Sequence, residues 1–132
     1  YEVDMQLRDG TFDVDLKHVT TPFFKSGKYG VNPNHAVTLN HKDYIRYMYK
    51  YPEYTKGMGV VFWVDWPAET NYGQQVIAVS GLWAVNIHRV DKWIRTGQIK
   101  CHEYIERKGG VGTNAMYSWV VNLLKCYKYE LK

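Results

Sequence analysis

The sequence predicts a single α/β (α+β) domain over residues 1–132, with a mixed β-sheet that starts with an antiparallel hairpin and is flanked by helices. Apolar and polar residues alternate on both sides of Asp9-Gly10, which is typical of a two-residue hairpin turn. The near-continuous apolar run Gly59–Trp66 is typical of a buried central strand. A segment with helical spacing follows a capping residue, Asn40. A chain of 132 residues is long enough to bury one hydrophobic core.

The turn at Asp9-Gly10 determines which residues of the two strands face each other. Counting outward, the facing pairs are Arg8 and Thr11, Gln6 and Asp13, Asp4 and Asp15, and Glu2 and Lys17. Residues two positions apart share one face of a strand, so Asp13, Asp15 and Lys17 lie together. The other face of that strand carries Phe12, Val14 and Leu16.

Asp4 and Asp15 are directly opposed in this register. Opposed Cβ atoms lie roughly 5 Å apart, where like charges destabilise a strand pair. We therefore expect a positive group between the two acids, and Mg²⁺ is a cation that prefers carboxylate oxygens. With Lys17 on the same face, the predicted site combines a metal, two acids and a lysine, which are the components of phosphoryl-transfer chemistry.

Asp4, ten intervening residues and then Asp15-Leu16-Lys17 resemble the signature of the PD-(D/E)XK nuclease superfamily, which has a restriction-endonuclease-like fold. The superfamily includes many restriction endonucleases, Holliday-junction resolvases and phage exonucleases. Val3 stands where the signature usually has a proline. The resemblance covers residues 1–19, and the rest of the chain is a compatible order of elements. The family's core also has a helix before the first strand. The predicted first strand begins at Tyr1, which leaves no room for this helix in the sequence, so we expect a domain that lacks it.

The resemblance implies a Mg²⁺-dependent endo- or exodeoxyribonuclease that hydrolyses DNA phosphodiester bonds, with Mn²⁺ as a substitute metal. Asp4 and Asp15 would be the metal ligands, and the backbone carbonyl of Leu16 would be a further ligand. Lys17 would orient or deprotonate the attacking water, or stabilise the pentavalent phosphorus. Deprotonation requires a lowered lysine pKa, which burial can produce. Two further acids, Glu2 and Asp13, are candidates to assist a second ion.

The connection 20–40 is rich in Pro, Gly and Asn and is long for a compact domain. Lys25 and Lys28 stand in it beside phenylalanine and tyrosine, a mixture that suits base stacking and phosphate contact. We expect nucleic-acid contact here. A surface loop anchored by its aromatic residues is an equal alternative.

A helix is predicted from about His41 to Tyr51, with Asn40 as its N-cap and Pro52 at its end. Its expected apolar stripe is formed by Ile45, Met48 and Tyr49. Three basic residues recur every fourth position on another face, and they are Lys42, Arg46 and Lys50. They are candidate nucleic-acid contacts, although a solvated basic face is the commoner explanation.

Later elements complete the predicted sheet. After a turn region at 67–73, strands are predicted at Gln75–Ser80 and Leu82–Ile87, separated by a bend or bulge at Gly81. A short helix is predicted at Val90–Arg95, and a last strand at Tyr117–Asn122. The final segment, 123–132, is predicted to be a short helix or a tail. The glycine-rich segment 109–113 lacks the spacing and lysine of a P-loop, so we interpret it as a loop.

Composition limits the class of protein. Hydrophobic residues make up 45% of the chain, which excludes a disordered protein, and the net charge of +4 suits a polyanionic partner such as DNA. No apolar run approaches the roughly 20 residues that span a bilayer, so no membrane contact is expected. Cys101 and Cys126 have no metal-ligand spacing and could be reduced or form one disulfide. The expected location is the cytoplasm, or the host cytoplasm for a phage-encoded chain, and a homodimer is left open.

Three functions from different classes remain open from the sequence. The first is a metal-dependent nuclease. The second is a nucleic-acid-binding module without catalysis, and the third is a phage or viral structural domain. Divalent-dependent DNA cleavage distinguishes the first from the other two, and salt-sensitive DNA binding without cleavage identifies the second.

Overall fold

The computed structural model describes residues 5–6, 12–51, 57–103 and 117–129. Within these ranges the fold is mixed α and β, with two α-helices and three open sheets. The α+β class predicted from the sequence is thus confirmed. In these ranges no helix has the length and apolar character needed to cross a membrane.

The described strands, in chain order, are β1 Met5–Gln6, β2 Phe12–Val19, β3 Ala36–Asn40, β4 Gly57–Trp66, β5 Glu69–Asn71, β6 Gln74–Val76, β7 Val79–Asn86, β8 Cys101–Glu103, β9 Tyr117–Asn122 and β10 Tyr127–Tyr129. The main sheet has five strands in the order β1-β2-β4-β7-β10. A second sheet has the order β3-β9-β8, and β5 and β6 form a separate hairpin. Among the described strands of the main sheet, β2 and β4 pair in parallel and the other neighbours are antiparallel, so this sheet is mixed as predicted.

β4 is the central strand of the main sheet, and it confirms the buried strand predicted from Gly59 to Trp66. Val60, Phe62 and Val64 have no exposed surface. β2 runs parallel on one side and β7 antiparallel on the other. This strand therefore forms the middle of the hydrophobic core, since both of its edges are paired and one of its faces packs in the core. On the other face Trp63 is 42% exposed.

The N-terminal hairpin has the register predicted from Asp9-Gly10. Gln6 lies opposite Asp13, and Met5 lies opposite Val14. Glu2, Asp4 and the turn itself lie outside the described residues. The predicted pairing of Asp4 with Asp15 is two positions further along this same register.

Helices α1 His41–Lys50 and α2 Ile87–Arg95 both begin at an asparagine cap. The Asn40 side chain accepts a hydrogen bond from the Lys42 backbone N–H at 2.8 Å, which confirms the predicted start of α1. Asn86 caps α2 in the same way, so α2 begins three residues before the predicted Val90. Each asparagine satisfies a backbone donor that the first helical turn leaves without an intrahelical acceptor.

The predicted apolar stripe of α1 is wrong at two of its three residues, although Met48 packs against the core. Ile45 is 50% exposed and Tyr49 is 89% exposed, whereas Tyr44 and Tyr47 are buried. The tyrosines face inward because their rings pack in the core while their hydroxyl groups reach acceptors on other elements.

The sequence did not indicate the second sheet as a sheet. β3 lies within the predicted connection 20–40, and β8 was not predicted. β9 confirms the predicted strand Tyr117–Asn122, and it joins β3 to β8. β9 is not the last strand, because β10 follows it after a short 3₁₀ turn.

Two further boundaries differ from the prediction between β4 and α2. The predicted turn region 67–73 contains β5 and is followed directly by β6, so that residues 69–76 form a hairpin. β7 passes through Gly81 without the predicted bend and pairs with β4 along its whole length.

Candidate active site

The acidic face of β2 lies against helix α1. Asp13 is 2% exposed and Asp15 is 7% exposed, and Lys17 continues the same face. Leu16, on the other face, is 37% exposed. The strand thus buries its charged face and exposes part of its apolar face, which is unusual because buried charges require partners.

Helix α1 and its C-cap residue, Tyr51, supply those partners at matching intervals. Asp13 accepts from the Tyr51 hydroxyl, Asp15 accepts from the Tyr47 hydroxyl, and Lys17 donates to Asp43. Two residues of a strand advance by about 6.6 Å and four residues of a helix by about 6 Å, so successive contacts stay aligned. We refer to these six side chains as the polar cluster.

Lys17 lies between two carboxylates of the polar cluster. Its Nζ is 3.0 Å from Asp15 Oδ2 and 2.8 Å from Asp43 Oδ2. Burial acts to lower the pKa of Lys17, but the hydrogen bonds to Asp43 and Asp15 and their negative charges raise it above its usual value. Lys17 is therefore a protonated cation at neutral pH in this arrangement.

The two tyrosines act as neutral donors to the buried acids. Burial and the hydrogen bond to Asp13 raise the pKa of Tyr51 well above its usual value, so its phenol stays protonated. Tyr47 donates to the same Oδ2 atom of Asp15 that Lys17 approaches. The orientation of Asp15 is thus determined from two sides, by a phenol on α1 and an ammonium on its own strand.

Helix α1 is also held against α2. The Tyr44 hydroxyl donates to Asp91 at 2.5 Å, and Arg95 donates to the other oxygen of Asp91 at 2.8 Å. Burial, the hydrogen bond to Asp91 and its charge raise the pKa of Tyr44 to about 12. This contact positions the helix that carries Asp43 and Tyr47 and that ends at Tyr51 as its C-cap.

The structure brings together some of the predicted site residues. Asp13, Asp15 and Lys17 share one face of β2, as predicted, and the two acids are buried. Asp4 and Glu2 lie outside the described residues. Asp43, Tyr47 and Tyr51 were not predicted as site residues, although tyrosines at positions 44, 47 and 51 follow helical spacing and indicate an inward face.

The oxygen atoms of the polar cluster are candidate ligands for the predicted Mg²⁺. Asp15 supplies a carboxylate of the hard-oxygen type that Mg²⁺ prefers. Among the residues that the structure describes, no group of three or more His, Cys, Asp and Glu side chains is placed to hold a metal ion. The donors therefore fit Mg²⁺ in kind, and a complete ligand set depends on Asp4 and on the Leu16 carbonyl.

The predicted basic residues fall on two surfaces. Lys42, Arg46 and Lys50 are exposed on α1, whose other side carries the polar cluster. Arg46 approaches Asp43 at 3.9 Å, which connects this basic face to the cluster. Lys25 and Lys28 are also exposed, and both line a recess that is described below.

No family model matches the chain, and neither the curated proteins nor the solved structures include a significant match. The chemistry of the polar cluster is consequently the basis for the functional inference. The carboxylates of such a cluster are of the kind that binds a divalent cation, and its ammonium can place a positive charge beside a phosphate.

Proposed function

We propose that the protein is a metal-dependent nuclease that hydrolyses DNA phosphodiester bonds at the face of β2 formed by Asp15 and Lys17. The observation that carries this proposal is the 3.0 Å approach of Lys17 to Asp15 on the buried face of the second hairpin strand. The hairpin register supports it, since Gln6 opposite Asp13 is the register in which Asp4 faces Asp15.

Asp4 and Asp15 would hold Mg²⁺ or Mn²⁺, with the Leu16 carbonyl as a further ligand. When bound, the metal would polarise the phosphate and lower the pKa of a bound water. Glu2 and Asp13 are the candidates to assist a second ion.

Lys17 has the role of a cation in this proposal. Among the three roles that the motif allows, its raised pKa favours orienting the attacking water or stabilising the charge on phosphorus over accepting a proton. Asp43 is a positioning residue, because its carboxylate holds Lys17 Nζ at 2.8 Å. Tyr47 positions Asp15 in the same sense through its hydroxyl.

The exposed bases of α1 give the substrate a surface beside the site. Lys42, Arg46 and Lys50 lie on the helix that also carries Asp43 and Tyr47. DNA phosphates that contact this face would lie along the helix that covers β2. Phosphate contacts of this kind position a nucleic acid without reading its sequence.

The test is cleavage of plasmid DNA and of labelled oligonucleotides with Mg²⁺, with Mn²⁺ and with EDTA. We expect cleavage with either metal, a loss of at least about 100-fold in Asp15→Asn and Lys17→Ala, and no cleavage in EDTA. Lys17→Ala should keep its Mn²⁺ affinity, whereas Asp15→Asn should not. Asp65→Asn, an exposed acid on β4, is the matched control and should cleave like the wild type. Equal cleavage by wild type and Asp15→Asn would overturn the proposal.

A nucleic-acid-binding module without catalysis is the second candidate. The observation that favours it is that Lys17 Nζ forms ion pairs with both Asp15 and Asp43, at 3.0 and 2.8 Å, so the cluster also serves to attach α1 to β2. Such a protein would bind DNA with strong salt dependence and leave it intact with Mn²⁺. The cleavage assay and a binding titration at two salt concentrations therefore separate the two candidates.

A further inference from the structure

A recess of about 390 Å³ opens where two connections leave the same end of the main sheet. The connection that follows β2 and the hairpin that follows β4 form its walls. Its lining residues are Phe24, Lys25, Gly27, Lys28, Tyr72 and Gln74. β2 and β4 are parallel neighbours, so the recess lies beyond their carboxyl ends, a common place for ligands in α/β sheets.

Both walls of the recess are fixed by hydrogen bonds. The buried Ser26 hydroxyl donates to the Val31 carbonyl at 2.7 Å, which holds the first connection. The Asn34 side chain accepts from the Ile77 backbone N–H at 2.9 Å, and Trp66 Nε1 donates to the Ile77 carbonyl at 3.1 Å. These contacts tie the β5–β6 hairpin to the first connection and to the end of β4, so the recess is preformed.

Tyr72 occupies an unfavourable backbone position at the tip of the β5–β6 hairpin. Its φ is +50° and that of Gly73 is +72°, the pattern of a type I′ turn. Asparagine and glycine are preferred at such positions, and a tyrosine there is strained. A bulky residue kept in a strained turn is a reason to look for a role of its side chain.

The Tyr72 ring is placed for stacking. It is 67% exposed, and Lys25 Nζ lies 4.3 Å from the ring centroid. Lys28 lines the same recess, and Gln74 adds an amide that can both donate and accept hydrogen bonds. An aromatic face, two ammonium groups and an amide are the elements that bind a nucleobase and its adjacent phosphates.

We propose that this recess binds an unpaired nucleobase of single-stranded DNA, stacked on Tyr72, with the neighbouring phosphates at Lys25 and Lys28. This inference rests on the proposed function, since it assigns a substrate class to a DNA-cleaving site. A base inside a duplex is stacked on its neighbours and does not reach such a recess, whereas a base in an overhang, flap or single strand does. The protein should consequently prefer DNA that has a single-stranded segment.

The test measures binding of a fluorescent single-stranded oligonucleotide and of a blunt duplex by anisotropy, in EDTA so that no cleavage occurs. Tyr72→Asn is the informative variant because Asn-Gly is a favoured type I′ sequence, so the fold is retained. We expect its affinity for the single strand to fall about tenfold, within the range produced by losing one stacked base. Its affinity for the duplex should stay unchanged, and its melting temperature should equal or exceed that of the wild type.

Matched variants complete the design. Tyr72→Phe keeps the ring and should bind like the wild type, and Tyr127→Asn removes another exposed tyrosine, from β10, and should also bind like the wild type. Lys25→Ala should reduce the salt dependence of single-strand binding, with a change in slope of about 0.7. Wild-type single-strand affinity in Tyr72→Asn, or a wild type that does not bind the oligonucleotide, would overturn the inference.

The binding test of the recess and the cleavage test of the proposed nuclease can fail independently of each other. Tyr72-dependent binding in a protein that does not cleave DNA with Mn²⁺ supports the recess and rejects the nuclease. Metal-dependent cleavage in a protein whose single-strand affinity does not depend on Tyr72 supports the nuclease and rejects the recess.

Discussion

Asp15 places both of its identified donors on one carboxylate oxygen, Oδ2. Lys17 Nζ lies 3.0 Å from that atom, and the Tyr47 hydroxyl donates to it. Removing one partner of a buried charged group usually costs more than the intact pair contributes, because the remaining group loses its compensation. Asp15 is therefore a residue at which charge and stability are closely linked.

Asp15→Asn should lower the stability of the protein without metal by about 1–3 kcal/mol, because a charged acceptor of two hydrogen bonds is lost. The hairpin register alone predicts the opposite sign, through relief of repulsion between Asp4 and Asp15. The structure predicts destabilisation and the register predicts stabilisation, because only the structure includes the contacts of Asp15 with Lys17 and Tyr47.

The metal response of the same variant tests the site. At a Mn²⁺ concentration tenfold above the dissociation constant, wild type should gain about 1.4 kcal/mol, or about 5 °C in melting temperature. Asp15→Asn should gain nothing, and Asp65→Asn should gain as much as wild type. Thermal unfolding of the three proteins with Mn²⁺ and with EDTA measures this, and an equal gain in Asp15→Asn would exclude Asp15 as a ligand.

At the scale of elements, α1 fits β2 through a match of two periodicities. Residues 13, 15 and 17 of β2 contact residue 51, directly after α1, and residues 47 and 43 of α1, in opposite chain directions. The bounds of α1 could be predicted from the Asn40 cap and from Pro52, which stands two residues after the helix. Its inward face could not, because a hydropathy pattern ranks Ile45 above Tyr47, whereas the hydroxyl of Tyr47 satisfies a buried acid.

The second sheet was missed for a different physical reason. β3 is a five-residue strand that pairs with β9, which lies near the other end of the chain. Pairing between distant segments leaves little trace in a local pattern, whereas the register of a hairpin follows from its turn. The hairpin register and β4 could therefore be predicted, and the recess at Tyr72 could not, since it joins two separate connections.

The docking of α1 should make stability sensitive to alkaline pH. The pKa of Tyr44 is raised to about 12, and those of Tyr51 and Lys17 are also raised. Above about pH 10 the unfolded chain releases these protons while the folded protein keeps them. The folded state then binds more protons than the unfolded chain. The stabilisation that these three groups contribute is therefore fully present below pH 10 and is lost as pH rises through their pKa values in the folded protein.

Urea unfolding at pH 8, 9.5, 10.5 and 11.5 checks this expectation. The free energy of unfolding of wild type should fall between pH 9.5 and pH 11.5. Tyr44→Phe should show a shallower fall, because one of the titrating groups is gone, and Tyr49→Phe, at an 89% exposed position, should follow the wild type. A wild-type stability that is constant from pH 8 to 11.5 would contradict the assigned contacts.

At the scale of the whole molecule, charge is distributed unevenly. The net charge is +4, yet three acids, Asp13, Asp15 and Asp43, are gathered between β2 and α1. The outer side of α1 carries bases instead. An anionic polymer that contacts α1 would meet positive charge, while the acids beneath it face inward.

This distribution predicts where DNA affinity depends on charge. Reversing the charge in Lys42→Glu/Arg46→Glu should weaken DNA binding and reduce its salt dependence, because each lost phosphate contact lowers the slope by about 0.9 for duplex DNA. Lys125→Glu/Lys128→Glu changes the net charge equally but lies at the β10 edge, three strands and about 14 Å from β2. Anisotropy titrations at 50, 100 and 200 mM salt, in EDTA, compare the two double variants with wild type. Equal losses of affinity and of salt dependence in both variants would mean that only net charge matters. A loss confined to the α1 variant, with a lower slope, would place the DNA backbone on this helix.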